Sequence, residues 1–221
     1  MTLVERAFVE LFPNKSFDYS AELKYSGHIK GYNASIGLNR ISKNLIIKLS
    51  KQWRFIDEEI KIGLIQELLL RMFKHKARTM NIDLYNHFMR ALPATVPKTR
   101  SHPVLEQSFS RVNEKYFLGL IDTPNLAVGG ETVRTLGHYN FGTDTITISS
   151  LLLEHDDLLD YVMYHELLHK RQKFNSKNGR HFYHSKTFRS CEKAFENAEE
   201  LERKMQRLGR NQRHKSFFGL F

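Results

Sequence analysis

The stretch Tyr164-His165-Glu166-Leu167-Leu168-His169-Lys170 decides how this chain is read. Histidines at i and i+4 share one face of an α-helix, so both imidazoles can meet a single metal ion. Glu166 sits one residue round from the first ligand, where its carboxylate can hydrogen-bond a water on the metal without binding the metal itself. Zinc lowers the pKa of such a water to about 7. The glutamate then takes the water's proton as it attacks a carbonyl and passes that proton to the leaving amine. Leu158 and Val162 extend the His165/His169 stripe towards the N-terminus, so this helix face is expected to be packed and its histidines buried. Two buried histidines facing each other without a metal would be costly.

A catalytic zinc centre takes three protein ligands and keeps one position open. Cys191 is the only cysteine, which excludes a disulfide within the chain and a cysteine zinc ribbon, leaving histidine and carboxylate as ligands. Downstream stand His181 and His184. Ser185 suits the cap of a helix running to about Leu208, which places His184 at the helix start and His181 in the loop before it. Local geometry leans to His184, with His181 still open. Glu192 and Glu196, one and two turns along the same helix, are the carboxylate alternatives. Tyr183, His181 and Arg180 are candidates for stabilising an oxyanion.

Outward from the motif, the chain reads as helix, strands and helix, then a short linker, then the same order again. The first half has a helix over residues 2–12 ended by Pro13. Strands are expected at 21–26, 32–38 and 45–50, and a long helix runs from Asp57 to about Lys76. A helical piece over 82–92 leads to Pro93 and Pro97, which mark the linker. The second half has a helix over 103–117, strands at 125–128, 133–139 and 145–149, and the motif helix capped by Asp156 or Asp157.

Ile65-Gln-Glu-Leu-Leu-Leu-Arg71 lies over Tyr164–Lys170 without a gap, Ile47–Ser50 over Ile146–Ser149, and Asp57 over Asp156. Ile36-Gly37 matches Leu136-Gly137 with a one-residue slip, and Glu5…Phe8 echoes Glu106…Phe109. The pattern predicts an α+β fold made of a tandemly duplicated helix–sheet–helix unit. Gln66 and Leu70 stand where the second half has His165 and His169, so the first copy is expected to be metal-free.

Hydrophobic residues make up 41% and charged residues 26%, the balance of an ordinary globular protein. No apolar run approaches the roughly 20 residues of a membrane span. The N-terminal segment carries Glu5 and Glu10 among its apolar residues and reads as an amphipathic helix, not a secretory signal. The expectation is a cytoplasmic protein with no membrane partner. Its net charge of +10 favours polyanionic partners, DNA or RNA among them.

Residues 102–197 resemble an SprT-like domain, the metalloprotease domain of SprT and Spartan proteins. The resemblance rests on Phe109-Ser-Arg-Val-Asn113, Tyr116-Phe117, Gly119, Leu136-Gly137…Tyr139, Ile146-Thr-Ile-Ser149, the His165–His169 motif and His184-Ser-Lys-Thr-Phe188. It implies a zincin-like unit with one Zn2+ ion and zinc-dependent hydrolysis of protein or peptide. For Spartan-type members it implies cleavage of proteins crosslinked to DNA. It also makes His184 the third ligand beside His165 and His169, with Glu166 catalytic. The organisation expected on this basis is a degenerate metal-free SprT-like repeat over 1–92, a linker over 93–101, the metalloprotease domain over 102–197 and a basic C-terminal helix and tail over 198–221. Two other readings of the same site are a zinc hydrolase of small amides or nucleotides, and a non-enzymatic nucleic-acid-binding module in which zinc only ties helices together.

Between the ligands the chain is basic. Lys170, Arg171, Lys173, Lys177 and Arg180, with Lys186 and Arg189 beyond them, are unaccompanied by any acid, and Phe174, Phe182, Tyr183 and Phe188 are interleaved. Cations alternating with aromatics suit a single-stranded nucleic acid, with phosphates on the charges and bases on the rings.

Overall fold

The computed structural model describes residues 1–172, 176–177, 180–181 and 184–218, with backbone alone at 176–177, 180–181, 209 and 211–218. The chain divides into two compact units, the first built on Met1–Leu92 and the second on Pro93–Lys173 and Tyr183–Phe221. The fold is α+β, with a mixed three-stranded sheet in each unit.

The first unit opens with helix α1 (Leu3–Leu11), started by a capping box in which Thr2 and Glu5 satisfy each other's backbone N–H. Strands β1 (Ser20–Ser26), β2 (Ala34–Asn39) and β3 (Asn44–Ser50) follow, then helix α2 (Glu58–Phe73) and helix α3 (Met80–Thr95). The strand order is β1-β3-β2, with β1 parallel and β2 antiparallel to the central strand.

The second unit repeats this plan. Helix α4 (Pro103–Phe117) precedes β4 (Asn125–Gly129), β5 (Gly137–Asn140) and β6 (Thr145–Ser149), and helix α5 (Asp156–Gln172) follows. Its strand order is β4-β6-β5, again with a parallel and an antiparallel partner for the central strand. The two-residue strands β7 (Ser176–Lys177) and β8 (Arg180–His181) pair antiparallel and group with the first unit, whereas helices α6 (Lys186–Glu192) and α7 (Ala198–Phe218) belong to the second. The core of this unit packs α5 against the sheet and α4 through Leu105, Phe109, Ile146, Ile148, Leu159, Met163 and Leu167. Among the described residues, no helix is long and apolar enough to cross a membrane.

Several expectations change: Asp156 and Asp157 lie in the first turn of α5 instead of capping it, and the strand expected from Val133 begins at Gly137. The helix expected to end at Leu92 runs through Pro93 to Thr95, so the start of the linker is helical. In the last turn, proline's missing N–H costs one helix bond and its fixed φ is compatible with the helix. The helix capped by Ser185 ends at Glu192, with Asn197 in the left-handed region (φ 57°) before α7 begins. The matching of Gly37 with Gly137 also fails. Gly137 pairs with Ile148 and faces α5, whereas Gly37 pairs with Ile46 on the exposed side of its strand. A Cβ added at Gly137 would lie 2.5 Å from Val162 Cγ1, and one at Gly37 would meet nothing within 4 Å.

Candidate metal centre

Helix α5 is solvated on little of its surface. Leu158, Leu159, Val162, Met163, Leu167 and Leu168 are buried, which fixes the rotation of the helix and therefore the direction of His165, Glu166 and His169. Ser185 accepts a hydrogen bond from the Phe188 N–H at 3.1 Å and so starts α6, with His184 one residue before the cap. The two helices bring His165, His169 and His184 together, their ligand atoms all within 4.8 Å of one another. Phe188, fully buried, lies under all three: its ring centroid is 5.1, 4.6 and 4.9 Å from those of His165, His169 and His184.

The spacing of the nitrogens tests the fit to a metal. His169 Nε2 lies 3.2 Å and His184 Nε2 3.3 Å from His165 Nε2. Nitrogens at the usual zinc distance of about 2.0–2.1 Å, in a tetrahedral arrangement, are about 3.3–3.4 Å apart. Hydrogen bonding explains the cluster less well. His165 Nδ1 lies 2.7 Å from Glu192 Oε1 and, as the donor to a carboxylate, leaves one lone pair on Nε2. Two further nitrogens face that single lone pair, an arrangement a shared cation satisfies.

Burial lowers the pKa of His165, opposed by its hydrogen bond to Glu192, and lowers that of His169 to about 3, reinforced by His165, His184 and His138. Both shifts favour the neutral ring, the state a metal ligand requires. The histidines are less enclosed than their stripe suggests. His165 and His169 are half-buried and His184 is exposed, so one side of the cluster is open to solvent.

Glu166 is 4% exposed and leans against Gly137, where a Cβ would fall 2.7 Å from Oε1. Its carboxylate accepts a hydrogen bond from the Tyr139 backbone N–H, and burial pushes its pKa up to about 8. The absence of a side chain at Gly137 is what admits the carboxylate between β5 and α5.

The carboxylate alternatives fall out of the ligand set. Glu192 holds the far nitrogen of His165, and Glu196 pairs with Lys115 at 2.5 Å. The side chains of His181, Tyr183, Lys173, Lys177 and Arg180 lie outside the described residues. Two parts of the basic stretch are committed elsewhere. Lys170 is 11% exposed and donates to both oxygens of buried Asp144 at 2.7 Å, so it is a structural ion pair and not a free cation for phosphate. Phe188, being buried, offers no face to a base. Arg171 is exposed, its guanidinium over Phe117 at 5.1 Å and 3.2 Å from Cys191 Sγ.

In the first unit the corresponding helix face is filled. Gln66 and Leu70 are buried, and Gln66 hydrogen-bonds the Ala7 carbonyl (3.4 Å) and the Thr79 hydroxyl. Gly63 lets the backbone of Asn81 close over the helix, since a Cβ there would lie 1.9 Å from the Asn81 carbonyl oxygen.

Neither a protein-family model nor a curated protein matches the chain. Among solved structures, similarity is found to the metallopeptidase zymogen jannalysin of Methanocaldococcus jannaschii. The identity is 17%, the TM-score 0.37, and the match covers 51% of this chain and 95% of that one.

Proposed function

We propose that the second unit is a zinc-dependent metallopeptidase domain of SprT-like type, acting on protein or peptide. His165, His169 and His184 hold one zinc ion, and Glu166 is the general base. The observation that carries this reading is the convergence of three imidazoles, with His169 Nε2 3.2 Å and His184 Nε2 3.3 Å from His165 Nε2, beside the buried side chain of Glu166. The motif spacing, and the resemblance of residues 102–197 to SprT-like domains, support it independently.

Zinc in such a site acidifies a bound water and polarises a carbonyl. The chain's own residues do the rest. Glu192 orients His165 through Nδ1, and Phe188 supports all three rings. Glu166, held by the Tyr139 N–H and ionised where the positive charge of a bound metal would offset its burial, receives the proton of the attacking water and delivers it to the departing nitrogen. The open side at His184 is where a substrate chain enters. A site that only ties helices together would use a fourth protein ligand, and Glu192 is already engaged at the far side of His165. The shared element order and strand order support descent of the two units from one duplicated ancestor, the first copy having Gln66 and Leu70 in place of ligands.

Zinc content by elemental mass spectrometry, beside hydrolysis of an unfolded protein such as casein, tests the proposal. Wild-type protein is expected to carry about one zinc ion, His184→Ala to lose it, and Glu166→Gln to keep it while activity falls by about 10²-fold or more. Undiminished hydrolysis by Glu166→Gln would overturn the mechanism. Zinc-free wild-type protein after reconstitution would overturn the metal centre.

A further inference from the structure

From Leu23 to Ile56 the chain carries seven lysines and arginines and no aspartate or glutamate. These residues form almost the whole sheet of the first unit. Lys24 on β1 and Lys48 on β3 stand directly opposite each other on adjacent parallel strands, with Ser35 on β2 completing the row, and all three are exposed. Like charges in register across a sheet repel. Glu22 pairs with Lys24 at 2.9 Å, and among the described residues Lys48 has no ion-pair partner.

The fold itself does not ask for this charge. The equivalent row of the second unit's sheet is Ala127, Thr147 and His138, on strands of the same order and direction. The same architecture is therefore built once with uncharged side chains and lone histidine, and once with paired lysines. The cations also continue past both ends of β3. Arg40 and Lys43 stand in the turn before it, and Lys51 and Arg54 in the 3₁₀ turn after it. At that second end Arg54 lies over the Tyr25 ring at 5.3 Å, and the Phe55 ring beside it is 90% exposed.

We propose that this face of the first unit binds single-stranded nucleic acid. The seven-residue strand β3 is about 23 Å long at the usual rise per residue. A linear strip of cations of that length suits a backbone of about 4 nucleotides, and an exposed aromatic ring at its end offers a stacking platform for a base. On β3 itself the one cation is Lys48, and the turns at its two ends add Arg40, Lys43, Lys51 and Arg54, an arrangement along one strand that matches a linear polyanion better than a flat field of lipid headgroups. The reading of this surface does not depend on the metal centre.

The test uses the full chain and fluorescence anisotropy of a labelled oligothymidylate of about 12 nucleotides. Binding by wild-type protein is expected to weaken about 50-fold between about 50 and 200 mM salt if four phosphates are neutralised. The variant Lys24→Ala/Lys48→Thr gives the first unit the second unit's residues at two positions of that row. It is expected to bind at least about ten-fold more weakly at low salt, with a shallower salt dependence and an unchanged melting temperature. Phe55→Ala is expected to lose at least about five-fold. Absence of oligonucleotide binding by wild-type protein, equal binding by the double variant, or binding to phosphatidylserine vesicles in place of the oligonucleotide would each overturn the proposal. Zinc measured in the same samples separates this outcome from that of the metal centre: loss of zinc with intact oligonucleotide binding would count against the centre alone.

Discussion

Glu192 Oε1 lies 2.7 Å from His165 Nδ1, joining α6 to α5 on the side of the imidazole away from the histidine cluster. The two side chains are 22% and 25% exposed, so water competes only partly for the contact. A carboxylate at Nδ1 fixes that nitrogen as the donor, leaves Nε2 free to bind a metal and raises its basicity. The same α6 supplies Phe188 beneath the rings, and His184 stands just before its cap. A short helix thus supplies a contact to every imidazole in the cluster.

Glu192→Ala is therefore expected to lower zinc affinity by about 10- to 100-fold while leaving the three ligands in place. Glu192→Gln keeps an acceptor but loses the charge, and its affinity should fall between wild type and Ala. Competition with a chromophoric chelator measures both. Equal affinity in all three proteins would show that the contact does not orient His165.

Gly137 and Gly37 make a paired test of the sheet–helix contact. Alanine at Gly137 must displace Val162 or the Glu166 carboxylate, with contacts of 2.5 and 2.7 Å, and overpacking of this kind costs about 1–3 kcal/mol. Hydrolytic activity should fall further than stability if the displaced group is Glu166, the carboxylate we propose as general base. Alanine at Gly37 meets nothing within 4 Å and should leave both properties unchanged. Thermal unfolding and casein hydrolysis of the two variants decide the matter. A tolerated Gly137→Ala would mean that Glu166 is not held where β5 and α5 meet.

Asp144 is 1% exposed, accepts from the Tyr139 hydroxyl at 2.6 Å, and pairs with Lys170 and Lys98. Removing one partner of a buried ion pair leaves the other charge stranded, at a cost of about 3–5 kcal/mol. Asp144→Ala should therefore destabilise the second unit strongly, and Lys170→Met less so, because Asp144 keeps its ion pair with Lys98 and its hydrogen bond from the Tyr139 hydroxyl. Urea unfolding provides the comparison. Lys170→Met should leave oligonucleotide binding unchanged, and a marked loss would return Lys170 to the set of phosphate contacts.

The helix–sheet–helix order of both units was legible from hydrophobic periodicity, and the His165/His169 face from the i, i+4 spacing. His184 was reachable because Ser185 signals a helix start in sequence. What periodicity could not supply was the contact partner of each side chain. Lys170 reads as one more cation in an acid-free run, and only the fold shows that the β5–β6 turn presents Asp144 to it. Glu192 reads as a spare ligand, and its distance from Nδ1 rather than Nε2 makes it a support for one. The two glycines look equivalent in sequence, yet lie on opposite faces of their strands because strand register, not residue identity, sets the face. The lysine row on the first sheet is not legible in the sequence, because Lys24 and Lys48 are distant along the chain and become neighbours only through the parallel pairing of β1 and β3.

Phe188 and His184 separate support of the centre from ligation within it. Phe188 is fully buried, so Phe188→Ala is expected to cost about 3–5 kcal/mol in the zinc-free protein through lost transfer energy and the cavity left behind. Phe188→Leu keeps much of that volume but loses the flat face on which the imidazoles rest. His184 is exposed, and His184→Ala should leave the zinc-free protein as stable as wild type. Metal bound only by the folded state adds stability that grows with its affinity and concentration. Urea unfolding with excess zinc and with excess chelator reads that increment directly. It should vanish in His184→Ala and shrink in Phe188→Leu, on top of a lower baseline in the latter. An undiminished zinc increment in Phe188→Leu would reduce this residue to a core side chain with no part in holding the ligands.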